Sequence, residues 1–210
     1  NCDWSSDVCS SDLYRIDRND EREVLGYRLA LSAVGLGQLG LLVQLASQGA
    51  TALWPWVLVM ATGLGLALRW IHIYLKPLHQ ALQLFWLVGC LGWLALAWQA
   101  GPNAMLQAVA EQRLWVLAIG PFFAALAGIG FKEFFCFRRP EAIGITLLLP
   151  VALLGYWLGL VGSALCLQLL ALETGLMLVL CLRKFPMPAA ADVGDKSVFT
   201  YLEQQRQEGL

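Results

Sequence analysis

Residues 142–182 read AIGITLLLPVALLGYWLGLVGSALCLQLLALETGLMLVLCL, and Glu173 is the only charged residue in this run. About 20 apolar residues cross the hydrocarbon core of a bilayer, so a run of this length predicts two crossings rather than one. The segment Gly159–Ser163, near its middle, carries the small residues of a tight turn. We therefore expect a helical hairpin with spans at residues 142–160 and 163–182.

Four further apolar runs precede this hairpin, at residues 29–46, 52–68, 78–98 and 114–131. Hydrophobic residues make up 59% of the 210-residue chain and charged residues 14%, with a mean hydropathy of +0.63. So small a globule cannot hide that many apolar side chains from water, which excludes a soluble enzyme, a nucleic-acid binder and a disordered chain. The predicted fold class is all-α: a polytopic membrane bundle of six transmembrane helices within residues 14–184. Its partner is the lipid bilayer, and we expect no nucleic-acid partner.

The basic residues predict an orientation for this bundle. Thirteen arginines and lysines precede the first span, lie between spans two and three or four and five, or follow the sixth span. The opposite side holds only Arg113. Because short loops rich in Lys and Arg stay in the cytoplasm, both termini are predicted to be cytoplasmic.

The two ends of the chain differ from the apolar runs. Residues 3–13, DWSSDVCSSDL, are polar and unpatterned and look like a translated sequencing adapter. We expect residues 1–13 to be a non-native leader, with the true N-terminus and any targeting peptide not seen. Residues 185–210 are expected to form a cytoplasmic tail, in which Phe199, Leu202 and Arg206 would belong to a short surface helix or to a loosely ordered segment.

Glu173 is the first candidate site residue, because an ionisable group within a span is costly and marks function by default. It lies ten residues before Arg183, so the helical rise places it about 15 Å from the inner boundary, and Gln38 lies about 14 Å deep from the same side. No basic residue shares this depth, so we expect a protonated carboxyl with Gln38 as its partner. The pair would join two helices, or Glu173 would serve a proton relay or ligand site, or it would face lipid.

The third span carries a polar and aromatic stripe at steps of three and four residues. Its members are His79, Gln83, Trp86, Cys90 and Trp93. Such a stripe lines a cavity or holds a haem or pigment, with His79 as the ligand, or else it is ordinary helix packing. His72, seven residues before His79, offers a second imidazole, but Pro77 breaks any shared helical face.

An aromatic and charged segment follows the fourth span. Its candidate residues are Gly128, Gly130, Lys132, Glu133, Cys136, Arg138 and Arg139, interleaved with four phenylalanines. The glycines would let another backbone approach closely. Lys132 and Glu133 would anchor the helix end or pair across it, and Arg138 and Arg139 would face anionic headgroups. We interpret the segment as a cytoplasmic-loop motif that is either a structural anchor or a docking surface for a partner.

The run GIGFKEFFCF at residues 128–137, with the six-span layout and the hairpin after Glu141, resembles an uncharacterised integral membrane protein family of cyanobacteria and plastid-bearing lineages. The resemblance covers most of residues 14–210. It implies a bacterial plasma membrane or a thylakoid-type membrane. It implies no activity and no catalytic residues, since the family is one of unknown function.

The sequence shows no catalytic signature and no metal-binding spacing. Cys90, Cys136, Cys166 and Cys181 do not form a ligand pattern or a disulfide framework. We therefore expect neither an enzyme nor a metal site, and no cofactor beyond the haem or pigment considered above.

Three functions remain open from the sequence. The first is a non-enzymatic assembly or scaffold protein that binds another membrane protein or a second copy of itself. It is motivated by small-residue pairs at Ala61/Gly65, Ala124/Gly128 and Gly155/Gly159. The second is a proton-coupled transporter that uses Glu173, and the third is a haem or pigment binder.

Overall fold

The computed structural model describes residues 17–73 and 75–193, and these residues form eight α-helices with no strand. In chain order they are α1 (Arg18–Gln48), α2 (Trp54–Trp70), α3 (Lys76–Ala100), α4 (Met105–Glu111), α5 (Trp115–Phe137), α6 (Pro140–Trp157), α7 (Ser163–Lys184) and α8 (Ala189–Val193). The leader at residues 1–13 and the tail residues Phe199, Leu202 and Arg206 lie outside the described residues.

Five of the described helices, α1, α3, α5, α6 and α7, are long and apolar enough to cross a membrane. Helix α2 has 17 residues, which at the helical rise is about 25 Å and close to the minimum for a crossing. The sixth span therefore stays a prediction. The short helix α4 was not expected from the sequence.

Several helix ends differ from the predicted spans for local reasons. Helix α1 begins eleven residues early because Asp17 caps it, its carboxylate accepting from the Asn19 and Asp20 amides at 2.8 Å. Helix α6 ends at Trp157, three residues before the predicted boundary. The following turn places Gly159 at φ +76°, a backbone conformation that suits glycine.

The bundle is built from three antiparallel hairpins, α1 with α2, α3 with α5, and α6 with α7. Helices α5 and α6, and α1 and α7, pack against each other and join the hairpins into one bundle. The closest approach is between α3 and α5, where a β-carbon at Gly89 or Gly92 would overlap the α5 backbone. One continuous apolar core fills the interior and includes Leu64 and Phe122.

The small-residue pairs that motivated a scaffold are used inside this chain. A β-carbon on Gly65 would lie 2.6 Å from the Trp86 indole, and one on Gly155 would lie 2.6 Å from Val161. Gly128 likewise makes room for Leu82 of α3. The pattern indicated close contacts, and their partners are neighbouring segments of this chain, so these pairs do not by themselves support contacts with another protein, which stay a prediction.

Candidate functional site

Glu173 and Gln38 meet in the interior of the bundle, between α7 and α1. Gln38 Nε2 donates a hydrogen bond to Glu173 Oε2 at 2.8 Å. Glu173 is the eleventh of the 22 residues of α7 and is fully buried, and Gln38 is buried as well. The structure thus brings together Glu173 and Gln38, which were predicted to pair because they lie at a similar depth from the same membrane boundary.

The pair leaves two oxygens without a partner. Glu173 Oε1 and Gln38 Oε1 are both buried and accept no hydrogen bond. Among the described residues no cation forms an ion pair with Glu173. A buried carboxylate with a single donor is strongly disfavoured, whereas a protonated carboxyl brings its own O–H donor and needs fewer partners. The geometry therefore fits a neutral, protonated Glu173.

A second buried polar site, the charge cluster, lies where α1, α5, α7 and α8 meet. Its members are Tyr27, Arg28, Lys132, Glu133, Lys184 and Asp192, all of them buried. Three cations face two carboxylates, so the described groups carry one excess positive charge. The cluster joins basic residues that the sequence placed on one side of the membrane.

Lys184 is at the centre of the charge cluster. Its Nζ donates to Glu133 Oε2 and to Asp192 Oδ1, both at 2.6 Å. The Tyr27 hydroxyl donates to the other Glu133 oxygen at 2.6 Å, and Lys132 Nζ lies 3.3 Å from that oxygen. Because each carboxylate oxygen of Glu133 has a partner, this buried acid is held as an anion, unlike Glu173.

Two aromatic rings partly offset the excess positive charge. Lys184 Nζ lies 4.5 Å from the centre of the Phe137 ring and 5.1 Å from that of Tyr27. Lys132 Nζ lies 5.0 and 5.5 Å from the same two rings. The electron-rich faces of these rings stabilise the two ammonium groups where water is excluded.

Asp192 connects the chain that follows α7 to α1. Its Oδ2 accepts from the Arg28 guanidinium at 2.7 and 2.9 Å, and Arg28 also donates to the Met187 carbonyl at 2.9 Å. Burial raises the pKa of Asp192, but the charge and hydrogen bond of Lys184 and the bonds from Arg28 bring it below its usual value. The first residues of the predicted tail are thus a structured part of the fold, which corrects the alternative of a loosely ordered segment for residues 189–193.

The aromatic segment is helix rather than loop up to Phe137, so the interpretation as a cytoplasmic-loop motif needs correction. Lys132 and Glu133 are buried in the charge cluster, where they pair with each other at 3.3 Å. Gly130 lies against α6, because a β-carbon added to it would be 3.2 Å from the Ala142 carbonyl oxygen. Only Cys136 and Arg138, of the residues singled out here, are exposed.

Arg139 belongs to a smaller ionic group at the start of α6. It lies 4.0 Å from Glu141 and donates to the Met187 sulfur at 2.8 Å. Arg183 donates to both oxygens of Glu141, at 2.9 and 3.0 Å. This group stabilises the end of the α6–α7 hairpin.

The stripe on α3 packs mainly against α2. His79 Nε2 lies 2.6 Å from the Leu68 carbonyl and 3.3 Å from the Gln83 amide. The Trp86 indole donates to the Ala61 carbonyl at 2.9 Å, and Trp93 is nearly buried. These bonds give the stripe a structural role, and a haem ligand at His79 would have to break one of them.

The other histidine is also engaged. His72 lies 3.5 Å from the Glu23 carboxylate. Within residues 17–73 and 75–193, no group of three or more His, Cys, Asp or Glu could hold a metal ion. Cys90 is partly buried on α3, and the cysteines of these ranges are free thiols.

A crevice of about 640 Å³ opens between α1, α2 and α3 near the charged end of the bundle. Its walls include Glu23, Leu68, Arg69, Trp70, Gln83, Leu84, Trp86 and Leu87. Gln83 and Trp86 were singled out from the sequence as cavity-lining candidates, and the structure places both at this crevice. It thus combines charged, aromatic and aliphatic groups.

Sequence reasoning did not single out Tyr27 or Asp192. Tyr27 directly precedes Arg28 at the edge of the first span, and Asp192 is the first acid after the basic end of α7. A search for acids beside the basic boundary would have found Asp192. It would not have shown which of the cations Asp192 meets.

Comparisons with known proteins agree with the apolar helices. Residues 66–201 match the family described as "Uncharacterized integral membrane protein (DUF2301)". The chain is also similar to an uncharacterised protein of Haemophilus influenzae, with 35% identity over 85 residues that cover 40% of this chain and 48% of the relative. The chain therefore spans about half the length of that curated relative. No solved structure matches.

Proposed function

The chain belongs to this family of uncharacterised integral membrane proteins, and we propose that it is a proton-coupled transporter of a small solute in which Glu173 carries the proton. One observation supports this above all others: a fully buried carboxyl halfway along α7, with one donor and one oxygen left without a partner. Ionisable groups at such depth are costly, and they mark proton and ion paths in membrane proteins.

The packing of Glu173 makes loss of its proton conditional on movement. In the arrangement described, the carboxylate would have one amide donor and no cation, so ionisation is strongly opposed. A shift of α1 against α7 that admitted water would lower this cost. Proton release would then be tied to a change in helix packing, as proton-driven transport requires.

The α1–α7 interface also leads from Glu173 towards the charge cluster. Cys181 and Lys184 follow Glu173 by eight and eleven residues, so all three lie on similar sides of α7. Cys181 faces α1, since an added β-carbon on Gly35 would lie 3.9 Å from its sulfur. Lys184 is about 16 Å from Glu173 along the helix, which makes this interface the proposed route for the proton.

We place this transporter in a bacterial plasma membrane, with six crossings and the charge cluster on the cytoplasmic side. The Haemophilus influenzae relative supports a bacterial membrane over a thylakoid-type membrane. The concentration of basic residues at one end of the bundle supports the orientation.

The test compares proteoliposomes that contain the wild-type chain or Glu173→Gln and enclose a pH-sensitive dye. The low-molecular-mass fraction of a bacterial extract is added outside. We expect internal acidification with the wild type and none with Glu173→Gln, which keeps the shape of the side chain and cannot release a proton. Equal signals in the two preparations would contradict the proposal. A matched thermal unfolding curve establishes that the variant is folded.

A second candidate, a partner-binding scaffold, is favoured by the outward face of α7. Ala164, Gln168, Ala171 and Gly175 are all exposed and recur at steps of four and three. An added β-carbon on Gly175 would meet nothing within 4 Å. Small residues beside a lipid-facing amide suit helix association, with a second copy or another membrane protein as the partner. Gly175→Leu should then reduce a cross-linked dimer or partner complex, and an unchanged cross-linking pattern would exclude this face.

A further inference from the structure

The crevice between α1, α2 and α3 changes in polarity along its length. Arg69, in the last turn of α2, and Glu23, in the second turn of α1, form its charged end. Leu84 and Leu87 of α3 form its other walls and are about half exposed on the outer surface of the bundle. The crevice therefore has a charged end and an apolar side that is open to the membrane.

Arg69 has no ionic partner within residues 17–73 and 75–193. It forms no ion pair and no side-chain hydrogen bond with the residues that the structure describes, whereas Arg28, Arg139 and Arg183 are all engaged. A guanidinium is suited to phosphate because it presents paired N–H donors in a planar fork. Arg69 thus leaves a position for an anion at the mouth of the crevice.

Glu23 adds the opposite charge to the same crevice. Its carboxylate has a single contact within the described residues, with His72 at 3.5 Å, and its side chain is 48% exposed. A ligand with only negative charge would be repelled by this carboxylate. A ligand that carries both an anion and a cation would satisfy Arg69 and Glu23 together.

Two indole rings shape the space between the charged and apolar parts. Trp86 is held by its bond to the Ala61 carbonyl and lies in the space left by Gly65. Trp70 lies against Gly26, where an added β-carbon would be 2.9 Å from its ring. Trp70 directly follows Arg69 and lies where indole rings prefer to sit, at the boundary between headgroups and acyl chains, whereas Trp86 forms a deeper wall of the crevice.

We propose that this crevice binds a zwitterionic phospholipid, with its phosphate at Arg69, its ammonium at Glu23 and its acyl chains along Leu84 and Leu87. The charge pair selects the headgroup, and the opening towards the bilayer selects a lipid over a soluble zwitterion. The site is separate from Glu173 and does not depend on the transport proposal.

The test is native mass spectrometry of the purified full chain with dioleoylphosphatidylethanolamine, dioleoylphosphatidylglycerol or soluble glycerophosphoethanolamine. We expect the ethanolamine lipid to be retained best. Arg69→Gln should weaken its retention about tenfold, the value of one charge-assisted phosphate contact. Glu23→Gln should remove the preference for ethanolamine over glycerol headgroups.

Arg138→Gln is the matched control, because Arg138 is an exposed arginine outside the crevice. It removes the same charge and should leave retention unchanged. Equal losses with Arg69→Gln and Arg138→Gln would overturn the proposal, since binding would then reflect overall charge. Equal retention of the soluble headgroup would overturn the assignment to a lipid.

Discussion

Replacing Lys184 by methionine tests whether the charge cluster holds the bundle together. The ammonium is 1% exposed and contacts two carboxylates at 2.6 Å. Its removal leaves Glu133 with Lys132 and Tyr27, and Asp192 with Arg28 alone. Because each acid keeps one cation, the cost falls below the value for a buried charge left without any compensation, about 3–5 kcal/mol. We expect Lys184→Met to lower the free energy of unfolding by about 3 kcal/mol, since two hydrogen bonds between charged groups are lost at about 1.5 kcal/mol each.

The assay is unfolding of the full chain by a denaturing detergent, followed by circular dichroism. The control is Arg183→Gln in the neighbouring residue, whose side chain is 51% exposed and pairs with Glu141 at 2.9 Å. Arg183 is half exposed, and the buried Glu141 keeps Arg139 at 4.0 Å, so this variant should lose less stability than Lys184→Met. Adding Asp192→Asn to Lys184→Met should not recover the loss, since it would leave the buried Arg28 guanidinium without its carboxylate partner among the described residues. If Lys184→Met cost no more than Arg183→Gln, the cluster would not have the stabilising role described here.

Three further predictions concern stability and accessibility. Because the pKa of Asp192 is lower in the folded protein than in the unfolded chain, its carboxylate stabilises the fold at pH values above the unfolded pKa, and this contribution is lost as the pH falls through the folded pKa. The free energy of unfolding should therefore fall more steeply with decreasing pH for the wild type than for Asp192→Asn. Gly92→Ala would place a methyl group against the α5 backbone and should lower the thermal midpoint, whereas Gly120→Ala, with nothing within 4 Å, should leave it unchanged or raise it; equal effects of the two would contradict the packing of α3 on α5. A maleimide should label exposed Cys136 in the folded protein and buried Cys181 only after unfolding. Mass spectrometry of the labelled peptides measures this order, and labelling of Cys181 before Cys136 would contradict the described burial.

The sequence predicted the Glu173–Gln38 contact because the helical rise determines depth. Both residues were placed about 14 to 15 Å from one boundary, and two polar groups at one depth in an apolar bundle have few other partners. The family match and the apolar helices confirm the predicted all-helical integral membrane fold. The six-span count stays a prediction, with α2 as the helix in question.

The charge cluster was beyond the reach of sequence reasoning for a physical reason. Tyr27, Glu133 and Asp192 are separated by long stretches of chain, and no periodicity within one helix shows which helices are neighbours. Asp192 also depends on the chain turning back after α7. The pattern of small residues is limited in a related way, because it shows that Gly65 permits a close contact but not that Trp86 of the same chain provides it.

The central claim is that Glu173 holds a proton at neutral pH and can release it. Infrared spectroscopy of the chain in lipid nanodiscs measures this directly, through the carbonyl band of a protonated carboxylic acid. We expect a band at neutral pH that shifts in heavy water and declines reversibly as the pH is raised. It should be absent from Glu173→Gln and unchanged in Glu133→Gln, since Glu133 is ionised beside Lys184. A wild-type spectrum without this band, or with a band that stays constant from about pH 5 to about pH 10, would contradict the account.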